Sequence, residues 1–210
     1  MMFKVAVMNK TGLILLLFLM VLPAAVRADD FEQLRKDSAR ISTISADFVQ
    51  KKSMKILSRP LVSEGKFFYA APSSIRWEYH KPVRSVVISG QGTARRYIAS
   101  GGRMIEDKTG GSQAMKIVLD EVAGWMSGKF NSNPSFTATL KEGAQTQIIL
   151  KPAGAGMAGM IEKIEITVSR KDRSVQSVRI VESASAETRI DFKHVVINKE
   201  INPAVFQDIQ

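Results

Sequence analysis

His80 and His194 are the only imidazoles in a chain of 210 residues that has no cysteine. The missing thiols exclude a disulfide framework, a thiolate metal site, a cysteine nucleophile and a lipidated N-terminal Cys. Two imidazoles are too few for a His-rich metal centre. A hydrolase needs a nucleophile with a base in hydrogen-bond reach, yet there is no G-x-S-x-G elbow, and both histidines fall on predicted strands near polar positions. Asp120 and Glu121 are adjacent on a predicted helix, so they point in different directions and make a poor general acid and base pair. They read as exposed helix charges. Gly90 and Gly92, with Gly101, Gly102, Gly110 and Gly111, lack the strand, glycine loop and helix context of a phosphate site. Hairpin turns explain them. The expectation is a protein that is not an enzyme and has neither cofactor nor metal.

The distinctive residues are apolar: Phe67, Tyr69, Trp77, Tyr79, Met115, Trp125 and Met126. Flexible methionines on a helix facing a sheet suit a cavity for chains of variable shape, although composition alone favours a plain packed core.

Two kinds of element must position these residues. Asp29 and Asp30 precede Phe31, Leu34, Ile41 and Ile44, a spacing that predicts an amphipathic helix over residues 30 to 43. The period then becomes two. Ile75, Trp77 and Tyr79 alternate with polar residues, as do Ile164, Ile166 and Val168, and Thr188, Ile190 and Phe192, the pattern of antiparallel strands with one wet face. Turn signals such as Ala71-Pro72-Ser73, Lys81-Pro82 and Gly101-Gly102 separate about eleven strand candidates with short links. A second helix starts at Ser112, carries Met115, Val118, Leu119, Val122, Trp125 and Met126 on one stripe, and stops at Gly128. The predicted fold is mainly β with helices (α+β), a single strongly curved antiparallel sheet wrapped around its helices. Gly154 to Met160 reads as a mobile loop.

A composition of 45% hydrophobic and 24% charged residues fits one ordinary globular domain and excludes a disordered tail. Lys4 and Lys10, the apolar run Thr11 to Leu22 and the small residues around Val26-Arg27-Ala28 read as a cleavable signal peptide over residues 1–28, leaving a domain over 29–210. The apolar run is about a dozen residues, short of the roughly twenty that span a bilayer; an uncleaved anchor is the lesser alternative. The expected location is the periplasm or the outside of the cell. The formal net charge of +10 is spread along the chain, with tight pairs at Lys51-Lys52 and Arg95-Arg96 and no aromatic-interleaved basic stripe. Nucleic acid is therefore not expected. A solvated surface explains most of this charge, and attraction to anionic lipid surfaces or acidic partners is the reading beyond it.

The run Ala46-Asp47-Phe48-Val49-Gln50-Lys51, then Glu64-Gly65-Lys66-Phe67-Phe68-Tyr69, Pro72, Ile75-Arg76-Trp77-Glu78-Tyr79 and Lys81-Pro82 resembles the LolA family of periplasmic outer-membrane lipoprotein carriers. Pro82 to Ser89 is similar to that family's P-x-x-x-x-x-x-S segment, and Asn202 to Phe206 to its closing P-x-x-F. The resemblance implies an incomplete β-barrel with a helical lid over a hydrophobic cavity. That cavity would receive acyl chains of a lipoprotein released by an inner-membrane ABC-type complex and bound for an outer-membrane acceptor, with the carrier a monomer. On this reading Phe67, Tyr69, Ile75, Trp77, Tyr79, Val86 and Ile88 face the cavity. Met115, Val118, Leu119, Val122, Trp125 and Met126 form the lid's underside.

Two departures mark a divergent member. Ala71 precedes Pro72 where the family often has a lid-latching Arg, and residues 90 to 99 keep the turn and Tyr97 but lose the family's Trp and final D-P. The alternatives are a carrier for a glycolipid, polyene lipid or phospholipid, a structural subunit of an envelope complex, and a periplasmic enzyme acting on lipid or envelope polymer.

Overall fold

The computed structural model describes residues 28–90, 92–108, 112–154, 158–207 and 209. The predicted signal segment up to residue 27 lies outside the described residues, as do Gly110, Gly111 and the middle of the glycine-rich loop. Eleven strands form one open, curled antiparallel sheet. They are β1 (Thr43–Met54), β2 (Leu61–Ala70), β3 (Ser74–Lys81), β4 (Ser85–Gly90), β5 (Thr93–Ser100) and β6 (Arg103–Glu106), followed by β7 (Phe136–Lys141), β8 (Thr146–Pro152), β9 (Lys163–Val168), β10 (Val175–Ser183) and β11 (Ala186–Ile197). Their spatial order is β6-β5-β4-β3-β2-β1-β11-β10-β9-β8-β7. Every link is a hairpin to a sequence neighbour except the β1–β11 pairing, which joins two meanders at the centre. The connection between the two edge strands carries helix α2 (Ser112–Met126), so the topology itself strings that helix from one edge to the other.

Helix α1 (Ala28–Ser38) is shorter than its periodicity predicts. Phe31 and Leu34 are buried as expected, but Ile44 lies in β1. Asn198 explains the early stop: its Oδ1 accepts from the Ser42 backbone N–H at 2.8 Å and its Nδ2 donates to the Arg40 carbonyl at 3.0 Å, drawing this segment onto the sheet. A tertiary contact overrides the helical period here.

Helix α2 ends in a Schellman cap. The Gly128 N–H donates to the Trp125 carbonyl at 3.1 Å and the Lys129 N–H to the Gly124 carbonyl at 2.8 Å. Gly128 has φ +77°, and a Cβ there would stand 2.8 Å from the Ser38 Cβ and 2.9 Å from the Arg35 Cα. The glycine therefore both closes α2 and lets the end of α1 pack against it. Asn133 donates to the Glu121 carboxylate at 2.6 Å, which gives Glu121 a tethering role, while its neighbour Asp120 is exposed.

Candidate functional site

Apolar residues of β3, β4, β10 and β11, with Gln50 of β1, face the stripe of α2 across a cavity of about 250 Å³. Val118, Leu119, Val122, Trp125 and Met126 come from the helix, and Trp77, Tyr79, Val87, Val178, Ile180, Ile190 and Phe192 from the sheet. Leu119, Val122, Trp125 and Met126 are buried, whereas Val118 is 54% exposed at the rim. Polar groups in the lining are few. Tyr79 donates its hydroxyl to Gln50 Oε1 at 3.0 Å, and Thr188 sits on the far wall. Burial pushes the Tyr79 phenol up to about 12, against opposition from the Arg96 charge. The Trp77 and Trp125 indole nitrogens are buried with no hydrogen-bond partner among the described residues, an uncommon arrangement for indole N–H groups.

An aromatic cluster supports the cavity floor. Phe48 meets Trp77 at 5.3 Å and Tyr79 at 5.2 Å between ring centroids, and Phe67 meets Trp77 at 5.2 Å and Phe192 at 5.3 Å. Gly65 makes the first pair of contacts possible. It is the cross-strand partner of both Phe48 and Tyr79, so the two rings meet over a residue with no side chain. A Cβ at Gly65 would collide with the Glu78 carbonyl and come within 2.9 Å of the Phe48 ring.

Of the residues expected to face a cavity, Trp77, Tyr79, Val118, Leu119, Val122, Trp125 and Met126 line it. Met115 lies on α2, but its side chain is outside the described residues. Phe67, Tyr69 and Ile75 are fully buried on the same core without lining the cavity: Phe67 lies beneath the Trp77 and Phe192 rings, and the Tyr69–Ile75 pair sits further along, next to the β2–β3 turn.

Val86 and Ile88 require a correction. The register pairs Trp77 with Val87 and Tyr79 with Ser85, which puts Val87 inside and its two neighbours outside. Val86 and Ile88 join Tyr97 in a small outer cluster with Met104 and Ile209 packed against it. A 3-10 turn at Pro203–Phe206, capped by Asn202, crosses the outer side of β3 and β4. This gives the closing P-x-x-F segment a structural role. Sequence reasoning missed Phe48, Gln50, Val87 and the β10 and β11 lining. The alternation of Thr188, Ile190 and Phe192 carried the signal for β11.

Two larger depressions, of about 430 and 490 Å³, flank the 3-10 turn on the outer face. Lys66, Arg76, Glu78 and His80 line the first beside Phe68 and Val205, and Arg95 the second beside Ile88 and Phe206, so both are mixed in character. Arg76 pairs with Glu78 at 2.7 Å and donates to the Val205 carbonyl at 3.2 Å, which fastens the turn. His80 faces Glu78 at 3.4 Å and the exposed His194 faces Asp47 at 2.9 Å, on separate strands. Among the described residues no cluster of three or more His, Cys, Asp or Glu could hold a metal ion, and no helix is long and apolar enough to cross a membrane.

The family model "Outer membrane lipoprotein carrier protein LolA" matches residues 39–208. The chain belongs to the LolA family. A comparison with curated proteins finds no match. Among solved structures, an uncharacterized conserved protein from Thermus thermophilus is similar at 6% identity over 87% of this chain and 94% of its own, with a TM-score of 0.55. A LolA superfamily protein from Nitrosomonas europaea aligns at 6% identity over 83% of this chain and 96% of its own, with a TM-score of 0.42. A chain of the Pseudomonas aeruginosa MucA/MucB complex aligns at 12% identity over 86% and 60%, with a TM-score of 0.48. At 6% identity the likeness to the Thermus thermophilus protein is one of fold alone. Membership in the LolA family gives the chain a carrier-like role in binding lipid or lipoprotein in the cell envelope, in a family of binding proteins rather than enzymes.

Proposed function

We propose that the cavity beneath α2 takes acyl chains of a lipoprotein, that α2 is its lid, and that the protein ferries this cargo across the periplasm. The donor is an inner-membrane ABC-type release complex, and the destination is an outer-membrane acceptor. The observation that carries this reading is the lining itself: a helix stripe and an aromatic floor enclosing an apolar space with almost no polar anchor. Burying acyl chain is worth about 0.8 kcal/mol per methylene, so such a surface competes with a bilayer without needing directional bonds. Few polar anchors also keep release cheap. At about 250 Å³ the space is below the roughly 300–1,000 Å³ of ordinary ligand pockets, so loading requires α2 to move outward. Its C-terminal end is held by the Gly128 cap and the Glu121–Asn133 bond, which makes that end the pivot. With Ala71 before Pro72, the closed position rests on apolar contact rather than on an Arg latch at that site.

The small volume also favours a second reading, a dedicated carrier of a lipid with fewer chains. Both readings make the same first test possible, because the chain has only two tryptophans and both line the cavity. A brominated acyl lipid is expected to quench their fluorescence saturably, and the unbrominated lipid to restore it. Fluorescence unchanged at all lipid concentrations would overturn the acyl-binding assignment. Competition by acylated lipopeptide against free phospholipid then separates the two cargos.

A further inference from the structure

The end of the β1–β2 hairpin combines exposed aliphatic side chains with basic ones. Ile56 at its tip is 87% exposed, Leu61 55% and Val62 45%, three of the seven large apolar side chains exposed among the described residues. Residues 51 to 63 contain Lys51, Lys52, Lys55 and Arg59 and no acid. Lys52 pairs with Glu182 at 3.1 Å, while Lys51, Lys55 and Arg59 have no carboxylate partner among the described residues. The acids bordering the tip are all occupied: Glu64 by Lys81, Glu182 by Lys52 and Glu187 by Arg179. The adjoining β10–β11 tip, Ser183 to Ala186, is small and uncharged, and its Ser185 carbonyl accepts from the Lys55 N–H at 2.8 Å, bracing the neck of the hairpin.

Register ties this tip to the cavity. Gln50 pairs with Ile190 and Lys52 with Thr188, so three cavity-lining residues lie just behind the hairpin end. Exposed aliphatic side chains among unpaired cations match a bilayer with anionic headgroups, where the apolar groups enter the headgroup boundary and the cations meet phosphates. We propose that the β1–β2 hairpin tip docks the cavity end of the protein onto an anionic phospholipid surface. Docking depends only on the tip; its use in cargo transfer rests on the carrier reading above.

The test is flotation of the purified protein with vesicles of phosphatidylethanolamine and phosphatidylglycerol, compared with vesicles of phosphatidylcholine alone. The wild type is expected to float with the anionic vesicles and to be released by salt. Lys55→Glu with Arg59→Glu is expected to weaken partitioning about tenfold or more, and Ile56→Ser with Leu61→Ser to weaken it at low salt and to lower the salt concentration that releases the protein. Both variants alter exposed positions and should keep brominated-lipid quenching, so a failure of docking and a failure of cavity binding are told apart. Equal flotation with neutral vesicles, or variants that float like the wild type, would overturn the proposal. A wild type that ignores anionic vesicles would do so too, and would assign the tip to a protein partner.

Discussion

The same sheet is solid on one side and hollow near its middle. Across β7, β8 and β9 the inner face is aliphatic, with Leu140, Ile148, Leu150, Ile164, Ile166 and Val168 buried and none of them lining the cavity under α2. Across β1, β3 and β11 it is aromatic, with Phe48, Trp77, Tyr79 and Phe192 tilted or edge-on to their neighbours. Branched aliphatics alternating on adjacent strands interdigitate and leave little space. The candidate site lies where these rings and the aliphatic side chains of β10 and β11 meet the underside of α2 without closing completely. The difference teaches that binding capacity here follows side-chain shape as well as polarity, since both inner faces are mainly apolar.

That contrast can be broken from the hollow side first. Trp125→Glu puts an unpaired charge in the lining and is expected to weaken acyl binding about a hundredfold or more, read as lost quenching of the remaining Trp77. In the solid region, Ile166→Ala is expected to cost about 2–5 kcal/mol in a denaturant titration. Acyl affinity should then fall far less than for Trp125→Glu, by about tenfold or less, because Ile166 does not itself line the cavity although its cross-strand partner Val178 does. If Ile166→Ala abolishes binding as Trp125→Glu does, the two regions are one. Between them in effect stands Gly128→Ala, which forces an alanine to φ +77° and its Cβ against Ser38. A loss of about 2 kcal/mol is expected, together with faster probe association in stopped flow if this end of α2 is the pivot.

Much of this contrast is legible in sequence. Strict alternation in β3, β9 and β11 identifies which residues share a face, and the Met115-to-Met126 stripe identifies the helix side. Val86-Val87-Ile88 is apolar without alternation, so only the pairing of Trp77 with Val87 decides its inner residue. Likewise Ile41 and Ile44 continue a helical period that Asn198 interrupts from more than 150 residues away. Phe48 is visible in the F-x-Q run, but its role depends on Gly65 and Tyr79 lying in the same row across three strands. The cavity is a gap among side chains from five strands and a helix, a property of registers and tilts that no spacing rule encodes.

The smallest expected effect lies on the polar side of the solid region. The Lys163 ammonium 2.6 Å from Glu165, with Arg179 at 3.0 Å, holds the Glu165 carboxyl below the usual carboxylate range. A depressed carboxyl stabilises the fold above its unfolded value of about 4.3, and that contribution is lost as pH falls through the folded value. Glu165→Gln should therefore lower stability at neutral pH by about 0.5 kcal/mol or less, since the pair is partly exposed. The difference from wild type should vanish in acid, with acyl binding unaffected.

The central claim is that the space under α2 holds acyl cargo, and native mass spectrometry of the protein gently purified from its own cells tests it most directly. The expected spectrum shows the chain with a bound acylated peptide or lipid, and the bare chain for Trp125→Glu. A wild type that carries no adduct, or an adduct that Trp125→Glu retains, would contradict it.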